Sequence, residues 1–289
     1  MKNTKRLFLP LLFGLFCVGC EVHDEVTFTV KRKAAVYLKY HYNNGDTTTL
    51  RDVRSMRLFI YDEAGRLYRD TLLPLRTVLG DGPAMQTYLK RGHYTFVSWA
   101  NVSDSTAVEE ELLDEAALGL HPAGADQLLY GRFETAVVKG DSLRFDIDLF
   151  KSVFKINVLV TGLEKTPYPE SHYFAIDNRE ALDFFNRPSG GMKRYRPKLT
   201  YDNGWLSGSF YTPYFTDRDN LTLGIYCDHP ESQYVRLCET TIRDFASIVE
   251  GAAGHDVEID VRIDVDDAGI KIVVSDWRGV IVQEEHLGN

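Results

Sequence analysis

Apolar and polar residues alternate without a break through the stretch Val257-Glu258-Ile259-Asp260-Val261-Arg262-Ile263-Asp264-Val265. Successive side chains of a β-strand point to opposite faces of a sheet, so this stretch predicts a strand with one apolar and one solvated face. The sequence predicts further strands at 26–30, 34–41, 55–61, 94–99, 143–150, 153–161, 221–227, 234–239, 270–274 and 280–284. Because turn residues such as those at 43–46 separate these strands, we predict an all-β protein of antiparallel sandwiches.

Two segments interrupt the strand pattern with the spacing of short helices. The first begins with a capping box at Thr106 to Glu109 and carries one apolar stripe, formed by Val108, Leu112, Leu113, Ala116 and Leu120. The second is weaker, ends at Gly251 and places Ile242, Phe245, Ile248 and Val249 on one face. Neither segment alternates regularly with strands, which disfavours a parallel, doubly wound sheet.

The apolar positions change phase near residue 151. Apolar residues fall at odd positions from Leu143 to Leu149 and at even positions from Phe154 to Val160. One strand cannot bury both sets on one face unless it contains a bulge or changes sheet. Since 289 residues also suit about two domains, we predict an N-terminal sandwich over 20–150 and a C-terminal sandwich over 151–289. The alternative is one bulged strand within a single larger sandwich.

The N-terminus has the pattern of a lipoprotein signal. Three cations within 1–6 precede a twelve-residue apolar run over 7–18, which is typical of a secretory signal and too short for a membrane-spanning helix. The segment over 17–20 resembles a bacterial lipobox, in which the cysteine is diacylated and becomes the mature N-terminus. We therefore predict a signal peptide over 1–19 and a lipidated Cys20. The alternative is an ordinary cleaved signal without acylation. Acidic residues at 21, 24 and 25 resemble an export tag for the outer face of the outer membrane.

The net charge of the chain is −9, from 33 Lys and Arg against 42 Asp and Glu. A nucleic-acid partner is disfavoured because wrapping a phosphate backbone requires a surplus of cations. Removing residues 1–19 deletes three cations and no acids, which lowers the charge to −12. The sequence contains no polybasic run that would act as a second membrane anchor, so the lipid alone is the predicted tether.

Motifs of catalysis and of cofactor binding are scarce. The sequence lacks the hydrolase nucleophile elbow, the zinc-protease motif, the dinucleotide fingerprint and the P-loop. Asp264, Asp266 and Gly269 match part of a calcium loop, but Ala268 stands where an oxygen ligand is needed, so a plain hairpin turn is predicted. We expect no enzyme activity, no metal and no cofactor.

Two cysteines and a group of aromatic residues in the second half are the remaining candidate sites. Cys227 and Cys238 flank a turn-like stretch and predict either a disulfide across a hairpin or two separately packed small side chains. A candidate recognition surface for sugar or protein consists of Tyr195, Trp205, Tyr211 and Tyr214. Packing in the core is the alternative for these rings.

Several blocks of the sequence, in this order, carry a family resemblance. They are the lipobox cysteine, Val36 to Tyr40, Ser55 to Leu67, Lys90 to Asn101, Leu128 to Gly131 and Ile272 to Trp277. Together they resemble the FimB-type fimbrillin-associated anchor proteins of Bacteroidales, over about residues 20 to 280.

The resemblance implies two tandem transthyretin-like β-sandwich domains, tethered by lipid to the outer membrane, that anchor and terminate a fimbrial polymer. Fimbrial subunit proteins are the implied partners, and they would dock by adding a strand to an open sheet edge. The sequence leaves two alternatives open. One is a surface lipoprotein that binds glycans through aromatic residues such as Trp205, and the other is a tip or accessory adhesin of the same fold.

Overall fold

The structure, a computed structural model, describes residues 33–42, 49–103, 107–138, 142–215, 220–232, 236–242, 258–267, 269–275 and 280–285. Its strands are β1 (Ala34–Tyr42), β2 (Met56–Asp62), β3 (Leu67–Leu72), β4 (Met85–Leu89), β5 (Gly92–Ala100), β6 (Ala107–Glu109), β7 (Ala117–Gly119), β8 (Leu129–Val137), β9 (Ser142–Lys151), β10 (Val153–Thr161), β11 (His172–Asp183), β12 (Pro188–Tyr195), β13 (Thr200–Asp202), β14 (Trp205–Pro213), β15 (Leu221–Cys227), β16 (Arg236–Ile242), β17 (Glu258–Val265), β18 (Ile270–Ser275) and β19 (Val280–Glu285). Helical turns of three or four residues lie at Thr49–Asp52, Leu75–Val78, Leu163–Lys165 and Pro169–Ser171. The predicted all-β class is confirmed. No helix within the described ranges has the length and apolarity needed to cross a membrane.

Seven strands of the first half form one continuous path, in the order β3-β2-β5-β8-β9-β1-β4. β8 and β9 pair over only two residue pairs, and the path folds there into two layers. Alternate residues of β1, among them Leu38, point into a core shared with Leu58 of β2 and Phe96 of β5. We call this layered unit, formed by β1–β5, β8 and β9, the first sandwich.

The second half of the chain, together with β6 and β7 of the first half, forms two further sheets. One has the order β13-β14-β10-β17-β18-β19, and the other has the order β16-β15-β11-β7-β6 with β12 added to β11. Apolar residues of both sheets, such as Val158 of β10 and Phe174 of β11, share a core. We call this unit the second sandwich.

The strand pairing differs from the predicted antiparallel arrangement in one respect. β1 pairs in parallel with β9, and β10 pairs in parallel with β17. β1 and β10 each lie inside a sheet, with a parallel neighbour, β9 or β17, on one side and an antiparallel neighbour, β4 or β14, on the other. The two sandwiches therefore share this local strand arrangement, although the sequence shows no internal repeat.

The change of phase near residue 151 corresponds to a change of sheet. β9 ends at Lys151 in the first sandwich, and β10 begins at Val153 in the second. Ser152 between them is fully buried, and its backbone N–H donates a hydrogen bond of 3.0 Å to the Leu128 carbonyl. The direct connection explains why the apolar positions switch parity within two residues.

The first predicted helix is wrong. Residues 107–119 contain the antiparallel strands β6 and β7, and β7 pairs with β11 from Ala117↔Asp183 to Gly119↔Ala181. Leu118 and Leu120 lie in the core of the second sandwich. Pairing with a strand more than sixty residues away thus overrides the local spacing. The second predicted helix lies outside the described residues except for Ile242, which ends β16. The strand predicted at 26–30 also lies outside them.

Candidate docking edges and surface residues

Several sheets end in strands with one unpaired side. The strands of the described sheets with one unpaired side are β3 and β4 in the first sandwich and β13, β19, β16, β6 and β12 in the second. β13 and β6 contain only three residues each, whereas β3 has six and carries Leu72, whose side chain is 70% exposed. An unpaired strand side presents N–H and C=O groups to which another chain can add a strand. The longer edges are therefore the candidate docking edges.

β1, the first described strand, occupies the centre of its layer. It pairs with β9 from Ala35↔Ser142 to Tyr42↔Leu149 and with β4 from Ala34↔Leu89 to Leu38↔Met85. Its alternate side chains are buried in the core. The Tyr40 hydroxyl forms a buried hydrogen bond of 2.9 Å with Ser98 Oγ, and burial raises the pKa of Tyr40 far above its ordinary value. β1 is thus held on both sides and on its buried face.

A tight turn connects β11 to β12. The Asp183 carboxylate accepts hydrogen bonds from the backbone N–H groups of Phe185 (2.9 Å) and Arg187 (2.7 Å). Asn186 has φ of 60°, a left-handed conformation that asparagine tolerates better than most residues. This turn chemistry projects Phe184 away from the hairpin and toward the first sandwich.

Phe184 joins the two sandwiches. Its ring lies 4.8 Å from Phe59 and 6.1 Å from Tyr61, between ring centroids, and both partners belong to β2. The Tyr130 hydroxyl donates a hydrogen bond of 2.9 Å to the Phe184 carbonyl. Because Phe184 and these partners are buried, β2 is covered on both faces, and the two sandwiches share a continuous apolar contact. No pattern in the sequence predicts this contact, and the turn chemistry at 183–188 is the only local signal near it.

The neighbouring ring, Phe185, lies between two guanidinium groups. Arg132 of β8 stands 4.6 Å from the ring centroid and Arg187 stands 5.1 Å from it. Cation–π contacts of this kind reinforce the junction at its solvent-facing rim.

A ladder of arginine and tyrosine side chains crosses the outer face of β12, β11 and β15. Arg196 stacks 3.6 Å above the Tyr173 ring, Tyr173 stacks on Tyr226, and Arg194 lies 4.8 Å above Tyr226. Arg194 also pairs with Asp177 and, at 3.1 Å, with Glu239. The charges of this face are therefore paired with one another.

The predicted cysteine sites fall in two groups. Cys20 lies outside the described residues. Cys227 and Cys238 are buried and carry no disulfide in the structure, and Cys238 is opposite Ile225 rather than Cys227. The strand register does not place the two cysteines opposite each other, and the disulfide stays a prediction.

The candidate recognition surface is divided by burial. Tyr195 is fully buried and its hydroxyl donates to the Arg179 carbonyl at 2.6 Å, while the buried Tyr214 donates to the Lys151 carbonyl. The prediction that these two rings face a ligand is wrong because core packing occupies them. Trp205 is 56% exposed and Tyr211 is half-buried, so only these two remain as surface candidates.

The candidate calcium loop forms a hairpin turn between β17 and β18. The Asp266 N–H donates to the Gly269 carbonyl at 3.0 Å, and the Gly269 N–H donates to the Asp266 carboxylate at 2.9 Å. Asp264 accepts hydrogen bonds from Thr161 and Arg262. Among the described residues, no group of three or more histidine, cysteine or acidic side chains is arranged to hold a metal ion.

Comparison with known proteins identifies the family. The sequence profile of the fimbrillin-A associated anchor proteins Mfa1 and Mfa2 matches residues 20–282. The chain belongs to this anchor family. The resemblance noted in the sequence is thereby confirmed. No curated protein sequence matches the chain.

Solved structures share the fold of this anchor-family member at low sequence identity. The fimbrial anchor protein Mfa2 from Porphyromonas gingivalis is 15% identical, with a TM-score of 0.59 over 86% of this chain and 99% of that chain. A protein from Bacteroides thetaiotaomicron proposed as an adhesin is 15% identical, with a TM-score of 0.60 over 87% and 99%. Another, from the same organism and proposed to bind polysaccharide, is 13% identical, with a TM-score of 0.62 over 88% and 99%. A role in association with fimbriae follows from the family.

Proposed function

We propose that the protein is an outer-membrane lipoprotein that anchors and terminates a fimbrial polymer at the cell surface. Cys20 is the lipid attachment site, and fimbrial subunits dock by adding a strand to an open sheet edge. Residues 1–19 are the signal peptide, and 20–150 and 151–289 are the two domains, with β6 and β7 of the first region added to a sheet of the second. Membership of the anchor family and the all-β architecture support this proposal.

The central position of β1 is the observation that carries the proposal. Only twelve residues lie between Cys20 and Lys33, which directly precedes β1. A pull on the lipid is therefore transmitted to a strand with hydrogen-bonded neighbours on both sides and a buried face. Because an edge strand has neighbours on one side only, it would resist the same pull less well. A tether at this point suits a protein that must hold a long polymer.

The same pull is transmitted from β1 to the second sandwich. β9, the parallel neighbour of β1, runs through Ser152 directly into β10, which is itself central in its sheet. Phe184 supplies a second, noncovalent junction between the sandwiches. A subunit docked at an edge of the second sandwich would then be coupled to the membrane through the interior of the molecule.

Replacing the lipid acceptor tests the proposal. We expect Cys20→Ser to release the protein, together with assembled fimbriae, into the medium and to abolish its labelling by radioactive palmitate. Cys17→Ser is the matched control, because it removes the cysteine of the signal peptide and leaves Cys20 in place. Fimbriae that stay attached to Cys20→Ser cells at the wild-type level would refute the anchor role.

Glycan binding is a second candidate function, favoured by the exposed indole of Trp205. Exposed aromatic rings provide flat apolar faces on which sugar rings stack. Saturable binding on a glycan array that Trp205→Ala abolishes would support it. A tip or accessory role would instead place the protein at the distal end of the fimbria, which immunogold labelling of intact cells distinguishes from the base.

A further inference from the structure

We propose that the end of the first sandwich at which β1 begins rests on anionic, phosphate-bearing lipid headgroups of the membrane. The proposal rests on the lipid attachment at Cys20 proposed above. It concerns a cluster that we call the basic aromatic patch, formed by Lys33, Tyr37, Tyr88, Lys90 and Arg144.

The sheet register assembles this patch from three strands. Ala34 of β1 and Leu89 of β4 form the last pair of this antiparallel ladder, so the next residues outward, Lys33 and Lys90, lie opposite each other. Tyr37 pairs with Arg144 of β9. Lys33, Lys90 and Arg144 are exposed, and they are separated by more than fifty residues along the chain. Lys33 ends the short basic run Lys31-Arg32-Lys33, and folding adds the distant Lys90 and Arg144 to this end of the sandwich.

The tyrosines of the patch are held at the surface. Tyr88 is 55% exposed. The Gln86 amide donates hydrogen bonds to the hydroxyls of Tyr88 (2.8 Å) and Tyr37 (3.2 Å), and the Arg144 guanidinium lies 5.8 Å from the Tyr37 ring centroid. Tyrosine and basic side chains together are typical of surfaces at the boundary between water and membrane, where the ring enters the headgroup layer and the cations meet phosphate.

Acidic residues on this face begin beyond the patch. Asp146 of β9 is opposite Lys39 and forms an ion pair of 3.0 Å with His41. Arg91 lines a groove with Asp62 and Glu63, and we do not count it in the patch. Between Lys33 and Tyr37 of β1, none of the described residues paired with this stretch on β4 or β9 is acidic. The three patch cations therefore have no acidic partner in register there.

The position of the tether selects a membrane as the occupant. The thirteen Cα–Cα steps from Cys20 to Lys33 span at most about 45 Å, so the acylated terminus stays within that distance of the end of the sandwich where the patch lies. The chain after residue 19 carries a net charge of −12 and is repelled as a whole by an anionic surface. A local cluster of three cations then determines which end of the molecule can approach the headgroups. A neutral glycan would also suit the tyrosines and Gln86, but it would not require the three cations.

Vesicle binding by the Cys20→Ser protein tests the patch without any contribution from the lipid. We expect the protein to sediment at low salt with vesicles containing phosphatidylglycerol and not with vesicles of phosphatidylcholine alone. The variant Lys90→Ser/Arg144→Ser should lower the partition coefficient about 25-fold, at about fivefold for each basic residue near an anionic surface. Added salt should also weaken binding, because it screens the attraction between the patch and the anionic headgroups.

The control variant, Arg76→Ser/Lys198→Ser, removes one arginine and one lysine that are equally exposed but lie outside the patch. It should bind as the parent does, and circular dichroism should show both variants folded. Absence of sedimentation, equal binding to phosphatidylcholine, or equal loss in the control variant would overturn the proposal. The proposal would also be overturned if the parent were retained on dextran and the patch variant, but not the control variant, lost this retention. That result would make the patch a glycan site. Since this assay omits acylation, its failure is distinguishable from failure of the anchor role, which the release experiment on cells reports.

Discussion

The ring of Phe184, at the tip of the β11–β12 hairpin, packs against Phe59 of β2 at 4.8 Å between centroids and with 62° between ring planes. This edge-to-face contact places a residue of the second sandwich on the outer face of a sheet of the first. Both rings are fully buried, and Trp99 lies beside them at 6.2 Å from Phe184. We therefore expect this contact to couple the unfolding of the two sandwiches.

Phe184→Ala should uncouple the sandwiches. Truncating a buried phenylalanine typically costs about 3–5 kcal/mol, and here the loss falls on the junction rather than on either core. We expect calorimetry to resolve two transitions in place of one, and limited proteolysis to cut near residue 152. Phe184→Leu, which retains most of the apolar volume, should unfold almost as the parent does. A single, unshifted transition in Phe184→Ala would contradict the coupling role.

Asn101 should be sensitive for two separable reasons. Its φ is 63°, and its side chain accepts a hydrogen bond from the Arg54 N–H (2.7 Å) and donates to the carbonyls of Asp52 (3.2 Å) and Gln127 (2.9 Å). Asn101→Gly keeps the backbone conformation and loses the three hydrogen bonds, each worth about 1 kcal/mol. Asn101→Ala should cost about 1 kcal/mol more, because alanine in the left-handed region is strained.

Urea unfolding of both Asn101 variants measures the two contributions. The difference between them reports the strain, and the difference between Asn101→Gly and the parent reports the hydrogen bonds. Equal free energies of unfolding for glycine and alanine would show that the left-handed conformation relaxes at no cost.

The sequence predicts strands well where burial is one-sided. β1 and β17 alternate throughout and β10 alternates after Val153, because one face meets the core and the other meets solvent, and the positions of all three are confirmed. β11 and β12 were missed, since β11 is buried on much of both faces and β12 is mostly exposed, and neither situation produces alternation.

Properties that depend on pairing between distant segments could not be predicted. Residues 107–119 carry an apolar spacing compatible with a helix, but they form strands because β7 pairs with β11. The same limit applies to the candidate sites. The burial of Tyr195 and Tyr214 depends on which residues the sheets bring around them, and the basic aromatic patch exists only through the register of β1, β4 and β9.

Cys227 and Cys238 should behave as two buried thiols in the folded protein. Cys238 is opposite Ile225, and the register shifts between Ile225 and Tyr226, so Cys227 lies beyond the diagonal position of Cys238, where side chains already stand about 7–8 Å apart, outside the usual reach of a disulfide. In the Cys20→Ser protein without its signal, iodoacetamide should label neither cysteine before unfolding and both afterwards. Prior reduction is the control and should not change the count. Labelling that requires a reductant would establish the disulfide instead.

Glu239 should contribute stability that depends on pH. The Tyr226 hydroxyl donates a hydrogen bond to its carboxylate, and Arg194 and Arg236 add positive charge, so the pKa of Glu239 lies below its ordinary value. A carboxyl group with a lowered pKa in the folded state stabilises the protein while both states are ionised. This contribution is lost as the pH falls below the ordinary glutamate value of about 4.3.

We therefore expect the melting temperature of the parent to fall more steeply below about pH 5 than that of Glu239→Gln. The glutamine keeps the shape of the side chain but cannot ionise, so Glu239→Gln should be less stable than the parent at neutral pH and should approach it in acid. Glu115→Gln, an exposed substitution outside the arginine and tyrosine ladder, is the control and should retain the slope of the parent. If the curves of parent and Glu239→Gln run parallel from neutral pH into acid, the ladder does not draw its stability from the ionised carboxylate.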